Sequence, residues 1–402
     1  MKQIINSLKR NPMFRMSLGA KELFHSNFLE YLWELNNGWF IEMINDFIPK
    51  TKSLPSGVNY KMGRELENFD ICIYNETGKK KKDYQLIIEN KVKSIPYKEQ
   101  LNGYEKKAKN AKDCRFVLLT LSKDFPDKDD DAALQNWVVI GYDDLLSGIQ
   151  RYYLKSNNIF NKVRSYIQDY CDFIKQLNDL KTNVVLPVTN VEDQMLFDEN
   201  VINELKKIRL HDLYIKVRIS WFLSELKNIL EYNGITPKVV HNYKEIYATH
   251  KRKGVYLNVD VNQGVGQIAA WIYDKDGADG NTFEIVIQGR QYRHGISQRL
   301  KATPQAENKF VWLNILYDEL KNSFKDAFDF LNFKNFNSIG CVKPDKAGAF
   351  KNSGGITKNG PFCCYDNSYI YRYVDVKNLI VKDLLKKMSD DIVQLYNNIP
   401  RL

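Results

Sequence analysis

No apolar run in the 402-residue chain reaches the roughly 18 residues needed to span a bilayer, so no membrane-spanning helix is expected. The opening Met1-Lys2-Gln3-Ile4-Ile5-Asn6 has no long apolar stretch after its basic residue, and no secretory signal is expected either. The six cysteines, at 72, 114, 171, 341, 363 and 364, follow no regular spacing and form no C-x-x-C pair. Cys363 and Cys364 are adjacent, which suits neither an ordinary disulfide framework nor a zinc site. Reduced thiols of a cytoplasmic protein are therefore expected. The five histidines are scattered without an H-E-x-x-H pairing, which argues against a His-built metal site. Internal repeats and long low-complexity segments are absent.

Hydrophobic residues make up 44% of the chain and aromatics 13%, enough for real cores, which excludes a mainly disordered chain. At roughly 150 residues per domain the length predicts two or three domains. Lys and Arg number 59 against 49 Asp and Glu, a formal charge of +10. A basic excess fits a polyanionic partner but does not locate it. Divided at residue 180, the balance is 28 − 24 = +4 and then 31 − 25 = +6, so neither half stands out.

Periodicity organises the first half. Residues 17–35 read as a helix that Ser17 can cap, with Phe24, Phe28, Tyr31, Leu32 and Leu35 at three- and four-residue steps. Phe69 to Tyr74 reads as a strand, Asn75 to Lys82 as a hairpin tip, and Tyr84 to Lys91 as its partner strand. The run Lys79 to Lys82 is either a turn kept soluble by charge or a phosphate contact. A helix over 97–112, strands over 116–121 and 137–140, and a helix from near Leu145 follow, with the acidic loop Asp124 to Asp131 between the strands. This alternation predicts an α/β sheet flanked by helices. Residues 152–180 read as helix and Thr182 to Thr189, with Pro187, as a linker. Beyond it, helices near 193–208, 212–233, 305–331 and 377–397 and strands near 238–248, 255–262, 266–273 and 283–289 predict a second α+β domain. The expected division is 1–150, a connector over 151–190, and 191–402.

The chemistry concentrates between residues 70 and 104. Asp70 starts one strand, and Glu89-Asn90-Lys91 ends the next strand of the hairpin. Strand alternation points Glu89 and Lys91 to one face. Two carboxylates and the Asn90 backbone carbonyl can hold a hard Mg²⁺ while leaving positions for water and phosphate. A lysine beside them can position or help deprotonate an attacking water. An ordinary hairpin with charged strand ends is the plain alternative. Against it, Ile87-Ile88 reads as buried strand immediately before two charges, which is costly unless those charges serve something. Gln100 and Tyr104, four apart on the next helix, share a face.

The segment IIENKVKS…EQLNGYEKKA, preceded by NFDICIY, resembles the PD-(D/E)xK nuclease superfamily, and within it the RecB-like branch with its Q-x-x-x-Y helix. KELFHSNFLEYLWEL is similar to the opening helix of bacterial PD-(D/E)xK-type nucleases, and WVVIGYDDLL also fits that group. The resemblance covers about residues 15–150. It implies a restriction-endonuclease-like core, a mixed central sheet flanked by helices, in a Mg²⁺- or Mn²⁺-dependent nuclease. It further implies Asp70 and Glu89 as metal ligands, Lys91 as the catalytic lysine, and Gln100 and Tyr104 lining the site. Glu22 matches a glutamate that such families place on the first helix facing the metals. Phe69 stands where the name-giving proline would be. The implied partner is nucleic acid, DNA rather than RNA, in a restriction or phage-defence setting. The C-terminal domain would select substrate, form homo-oligomers or sense a ligand. A silent nucleic-acid-binding protein on the same fold is the rival reading.

Other signals are weaker. Glu22 and His25, three apart, are expected on a helix face away from the Phe24/Phe28 stripe, His25 either bonded inside the fold or contacting substrate. Glu65 and Glu67 are read as a polar strand edge or a further metal contact. Asp274 to Gly280 fails the EF-hand pattern, and Gly264-Val265-Gly266 lacks the phosphate-binding one, so both are read as turns. The basic clusters 251–253, Arg290 with Arg293, and Arg299 with Lys301 lie near Tyr247, Tyr256 and Tyr292 and suit either backbone neutralisation with base stacking or solvated loops. Residues 343–358 read as a glycine-containing loop over a ligand.

Overall fold

The computed structural model describes residues 1–17, 21–77, 81–92, 98–108, 113–121, 123, 134–155, 159–187, 190–240, 253–262, 264–273, 282–297, 318–334, 336, 363–365, 369–376 and 378–398. Of the expected hairpin tip Asn75 to Lys82, residues 78–80 lie outside them and the rest extends the two strands; the acidic loop at 124–131, the would-be EF-hand at 274–280, Tyr247, Arg299, Lys301 and the glycine-containing 343–358 also lie outside. The chain divides into two compact units, residues 1–189 with 199–217, and residues 190–198 with 218–402.

The first unit is built on a five-stranded mixed sheet in chain order, β1 (Lys61–Leu66), β2 (Phe69–Thr77), β3 (Lys81–Lys91), β4 (Arg115–Thr120) and β5 (Trp137–Gly141). β2 runs antiparallel to both of its neighbours, β1 and β3; β3, β4 and β5 are parallel. β4 and β5 are near-continuous apolar runs, as strands covered on both faces must be, and β3 is apolar over Leu86-Ile87-Ile88. Its helices are α1 (Lys2–Arg10), α2 (Pro12–Ser17), α3 (Lys21–Leu35), α4 (Asn37–Asn45), α5 (Lys98–Lys107), α6 (Tyr142–Ile149), α7 (Asn161–Leu180) and α8 (Glu199–Lys206). α5 covers one sheet face, where Leu101, Tyr104 and Ala108 pack with Phe69, Cys72, Ile87, Leu118 and Trp137. α3 packs against β1, β2 and β3. α7 buries Ile167, Tyr170, Phe173, Ile174 and Leu177 at helical spacing and packs against α1, α2 and α6.

The second unit carries a seven-stranded sheet in the order β11-β12-β10-β9-β8-β7-β6. Its strands are β6 (Lys238–Val239), β7 (Gly254–Asn262), β8 (Val265–Tyr273), β9 (Thr282–Gln288), β10 (Gln291–Ser297), β11 (Cys363–Tyr365) and β12 (Tyr369–Asp375). Helix α11 (Val381–Asn398) packs on β8 and β9, and α10 (Lys325–Leu331) on β10. Helix α9 (His211–Tyr232) leads into this unit. The mixed α/β architecture, one mixed sheet flanked by helices and a second sheet beyond, is a restriction-endonuclease-like core with an α+β C-terminal region.

Several elements differ from the sequence expectation. Ser17 does not cap α3; its hydroxyl donates to Phe14 O (2.8 Å) at the end of α2. The short helices α1, α2 and α4, the polar edge strand β1 and the charged strand β10 are additional to the elements expected from the sequence. Residues 181–185 continue the helical path of α7 rather than opening a linker, and Val184 and Val185 are buried. The expected helix over 193–208 is a 3-10 turn (Val191–Asp193) followed by α8. Gly264 does form the β7–β8 turn, with φ +76°. The thiols of Cys72, Cys114 and Cys171 are free.

Phe69, fully buried beside the β2 entry, meets Tyr84 and Tyr104 edge-on, with centroids 5.2 and 5.1 Å away. Replacing it by alanine leaves a cavity between α5 and the strand that carries Asp70. Phe69→Ala is expected to lower unfolding free energy by about 3–5 kcal/mol in a urea titration; a loss below about 1 kcal/mol would show that this ring does not hold the strand.

Candidate active site

Two neighbouring strand ends and one helix build the site. The β2–β3 register pairs Ile71 with Ile88 and Cys72 with Ile87, so one step on Asp70 stands beside Glu89. The Asn90 N–H donates to Asp70 Oδ2 at 2.8 Å. Glu89 and Lys91 share the strand face toward α5 and form an ion pair, with Glu89 wholly buried and Lys91 nearly so. From α5, Gln100 Nε2 donates to Glu89 Oε1 at 2.7 Å and to the Tyr104 hydroxyl at 2.8 Å. The Tyr104 hydroxyl in turn donates to Asn68 O at 2.7 Å.

That last bond reaches a strained turn. Glu67 and Asn68, with φ of 54° and 69°, form the two-residue β1–β2 hairpin that delivers Asp70. Such angles favour glycine, and asparagine is among the side-chain-bearing residues that tolerate them best. Lys107 Nζ donates to Glu67 O at 2.7 Å, so α5 clamps both carbonyls of the turn. Tyr104 therefore faces the turn and Gln100, rather than presenting a free hydroxyl to a phosphate.

The electrostatics are those of a carboxylate pair short of positive charge. Burial pushes Asp70 above the usual carboxylate range, against the Asn90 N–H and Lys91. Burial, with Asp70 adding to it, pushes Glu89 up to about 7 despite Lys91. Burial pulls Lys91 down, but the adjoining Glu89 outweighs it and holds the ammonium above its ordinary value. Glu89 Oε2 is buried without any hydrogen-bond partner. A hard divalent cation would meet that oxygen and the pair's excess charge, and Asp70, Glu89 and the Asn90 carbonyl are oxygen donors of the right kind. The fit is partial: among the described residues no group of three or more His, Cys, Asp and Glu side chains gathers to hold a metal.

Glu22, half-buried on α3, lies near enough to contribute to the raised values of both Asp70 and Lys91. Its backbone carbonyl accepts from Asn90 Nδ2 at 2.9 Å, on the strand face opposite Glu89. His25 does not share an outward face with it. It is fully buried, with Nδ1 2.8 Å from the Tyr170 hydroxyl and its ring stacked on Phe173, inside the apolar stripe rather than away from it. Glu65 and Glu67 sit at the end of β1 and in its turn, and Glu67 pairs with Lys82 (3.7 Å). In the second unit Arg290 pairs with Asp375 (3.0 Å), and Arg293 lies over the Tyr371 ring and bonds Gln291.

Residues 13–172 match the family model of the PD-(D/E)XK nuclease superfamily. The matched stretch holds β1 to β5, α3, α5 and α6, and thus every group of the site. No curated protein and no solved structure matches the chain. Among the described residues no helix is long and apolar enough to cross a membrane.

Two parts of this site carry no motif signal. The turn carbonyls of Glu67 and Asn68 are backbone groups without a side-chain signature. The Asn90 side chain lies between the motif positions, and only the need of a polar residue facing away from Glu89 on a covered strand for partners of its own points to it.

A raised carboxyl destabilises the fold once ionised. Its effect is nil below the unfolded value near 4.5 and grows as pH climbs to about 7. In metal-free protein, thermal unfolding should show Glu89→Gln gaining on wild type across that window, with little difference below it. Parallel pH profiles for the two proteins would show that Glu89 titrates normally.

Proposed function

We propose that the chain is a divalent-metal-dependent nuclease that hydrolyses phosphodiester bonds, with DNA as substrate. The observation that carries this reading is the buried Glu89 carboxylate, ion-paired to Lys91 and next to Asp70, with one oxygen left without a protein partner. Asp70, Glu89 and the Asn90 carbonyl, with Glu22 nearby, are the groups that would hold Mg²⁺ or Mn²⁺. A bound cation of that kind supplies Lewis-acid polarisation of phosphate and water. The protein's own groups do the rest. Gln100 fixes the Glu89 carboxyl through Oε1, leaving Oε2 for binding. The Lys91 ammonium is placed to orient an attacking water and to offset charge gathering on the phosphate. The overall +10 charge suits a polyanionic substrate, and the RecB-like Q-x-x-x-Y helix is consistent with a DNA-processing or defence role.

A catalytically silent nucleic-acid-binding protein is the second reading, and it draws on the lack of a third metal-binding side chain among the described residues. Cleavage assays separate the two. With Mg²⁺ or Mn²⁺, wild type should cut linear, closed circular or single-stranded DNA, and Lys91→Ala should lower the rate by roughly 10²–10⁴-fold. Cleavage of closed circles would mark an endonuclease. Equal rates for wild type and Lys91→Ala, or no cleavage of DNA or RNA by wild type, would overturn the catalytic reading.

Binding offers an independent check. Mn²⁺ should raise the melting temperature of wild type, and Asp70→Asn should abolish most of that rise. An unchanged rise in Asp70→Asn would remove Asp70 from the metal site.

A further inference from the structure

The residue between Glu89 and Lys91 faces the other way, and what it meets there has no part in the motif. Asn90 is fully buried. Its Oδ1 accepts a 2.6 Å hydrogen bond from the hydroxyl of Tyr142, the first residue of α6. Its Nδ2 donates to Glu22 O (2.9 Å) and Ser26 Oγ (3.3 Å), both on α3. Its backbone N–H donates to Asp70 Oδ2. One residue thus joins the two strands of the carboxylate pair, α3 and, through a phenol, α6.

The Glu22 carbonyl, which can only accept, fixes which way the amide points, and the Tyr142 hydroxyl holds the Oδ1 end as a donor. With Oδ1 taken by Tyr142, only the NH₂ end can face Glu22 O; a flipped amide would set oxygen against oxygen there. Tyr142 is itself held firmly. It is fully buried, follows β5 directly, and starts a helix whose Asp144 carboxylate accepts from the Gly141 N–H at 2.9 Å. Its ring meets His25 edge-on, with centroids 4.9 Å apart.

The geometry points to Tyr142 as a positioning residue, which through the Asn90 amide sets α3 and its Glu22 against the strand carrying Glu89 and Lys91. The inference rests on the nuclease reading for its catalytic consequence, not for the contact itself. Tyr142 touches neither Asp70, Glu89 nor Lys91 in any hydrogen bond seen here, so its effect on the reaction must pass through Asn90.

The test combines cleavage kinetics with amide hydrogen exchange in metal-free protein. Tyr142→Phe keeps the ring and removes the hydroxyl. It should lower kcat by roughly 10–100-fold, the scale of a misplacement of about 1 Å, with KM little changed. In an Asn90→Ala background the same substitution should have no further effect on kcat. Amides in the first turns of α3 should exchange at least about tenfold faster in Tyr142→Phe, while those of β3 and β4 keep their protection. Wild-type kcat in Tyr142→Phe, losses that add in the double variant, or unchanged exchange in α3 would each overturn the proposal. Should wild type itself fail to cleave, the nuclease reading falls, and exchange in α3 alone decides the positioning role. Should Tyr142→Phe fail to fold, Asn90→Ala carries both readouts, and unchanged kcat and unchanged α3 exchange in it would overturn the proposal.

Discussion

A carboxylate taken fully out of water must be met by protein groups or by something the protein binds, because the cost of leaving it unmet is several kcal/mol. Glu89 is in that position, and the first unit is arranged around it. Ile87 and Ile88 bury the strand that carries it. Lys91 answers its charge, Gln100 answers one oxygen, and the second oxygen has no protein partner. α5 serves this end twice. Its Gln100 fixes the carboxyl, and its Tyr104 and Lys107 fasten the left-handed turn from which Asp70 emerges. A single helix therefore sets the spacing of two carboxylates that lie on different strands.

The period-two alternation of a strand divides the work between its faces. Glu89 and Lys91 turn toward α5, where the charges gather. Asn90 turns toward α3, where it makes neutral hydrogen bonds that locate a whole helix. The two faces need different environments. The α5 face carries charges and an oxygen open for a ligand, whereas the α3 face is sealed by His25, Phe28, Tyr142, Tyr170 and Phe173. Ring stacking and satisfied hydroxyls make that side rigid, and rigidity there is transmitted to the strand end that holds the site.

The acidic pair with its lysine was legible in the sequence because a charged E-x-K directly after a buried strand breaks the expected pattern, and the Q-x-x-x-Y spacing on the next helix reinforced it. The alternation of strand and helix was legible through apolar stretches such as Phe116 to Leu121, whereas the mixed sheet was implied only by the family resemblance. What escaped was whatever local composition disguises. β1, with its run Lys61-Met62-Gly63-Arg64-Glu65-Leu66, is a polar edge strand whose place is set by pairing with β2. β10 carries Arg293 and His294, and it is a strand because β9 and β12 pair with it on both sides. His25 was misplaced because a histidine reads as polar on a helical wheel, while here its ring packs as an aromatic and its Nδ1 is satisfied by Tyr170.

The second unit shows why the state of Glu89 is informative. Asp391 on α11 is equally buried, and its Oδ2 meets three groups: the Tyr292 hydroxyl at 2.8 Å, His294 Nε2 at 3.2 Å and Lys387 Nζ at 3.3 Å. Burial alone would raise its pKa, yet His294, Lys387 and Tyr292 together pull it below the ordinary carboxylate value. Phe330 and Phe333 stack on His294, and the cluster is closed to water on every side. Two buried carboxylates in one chain thus shift in opposite directions. Asp391 is fully compensated by its own protein, as a group that only holds structure should be. Glu89, with a lysine and an amide beside it, is still pushed up and still has an oxygen to spare. The same fold satisfies Asp391 completely and leaves one oxygen of Glu89 unmet where two strands and a lysine converge, and the metal-holding role proposed for Glu89 would meet it.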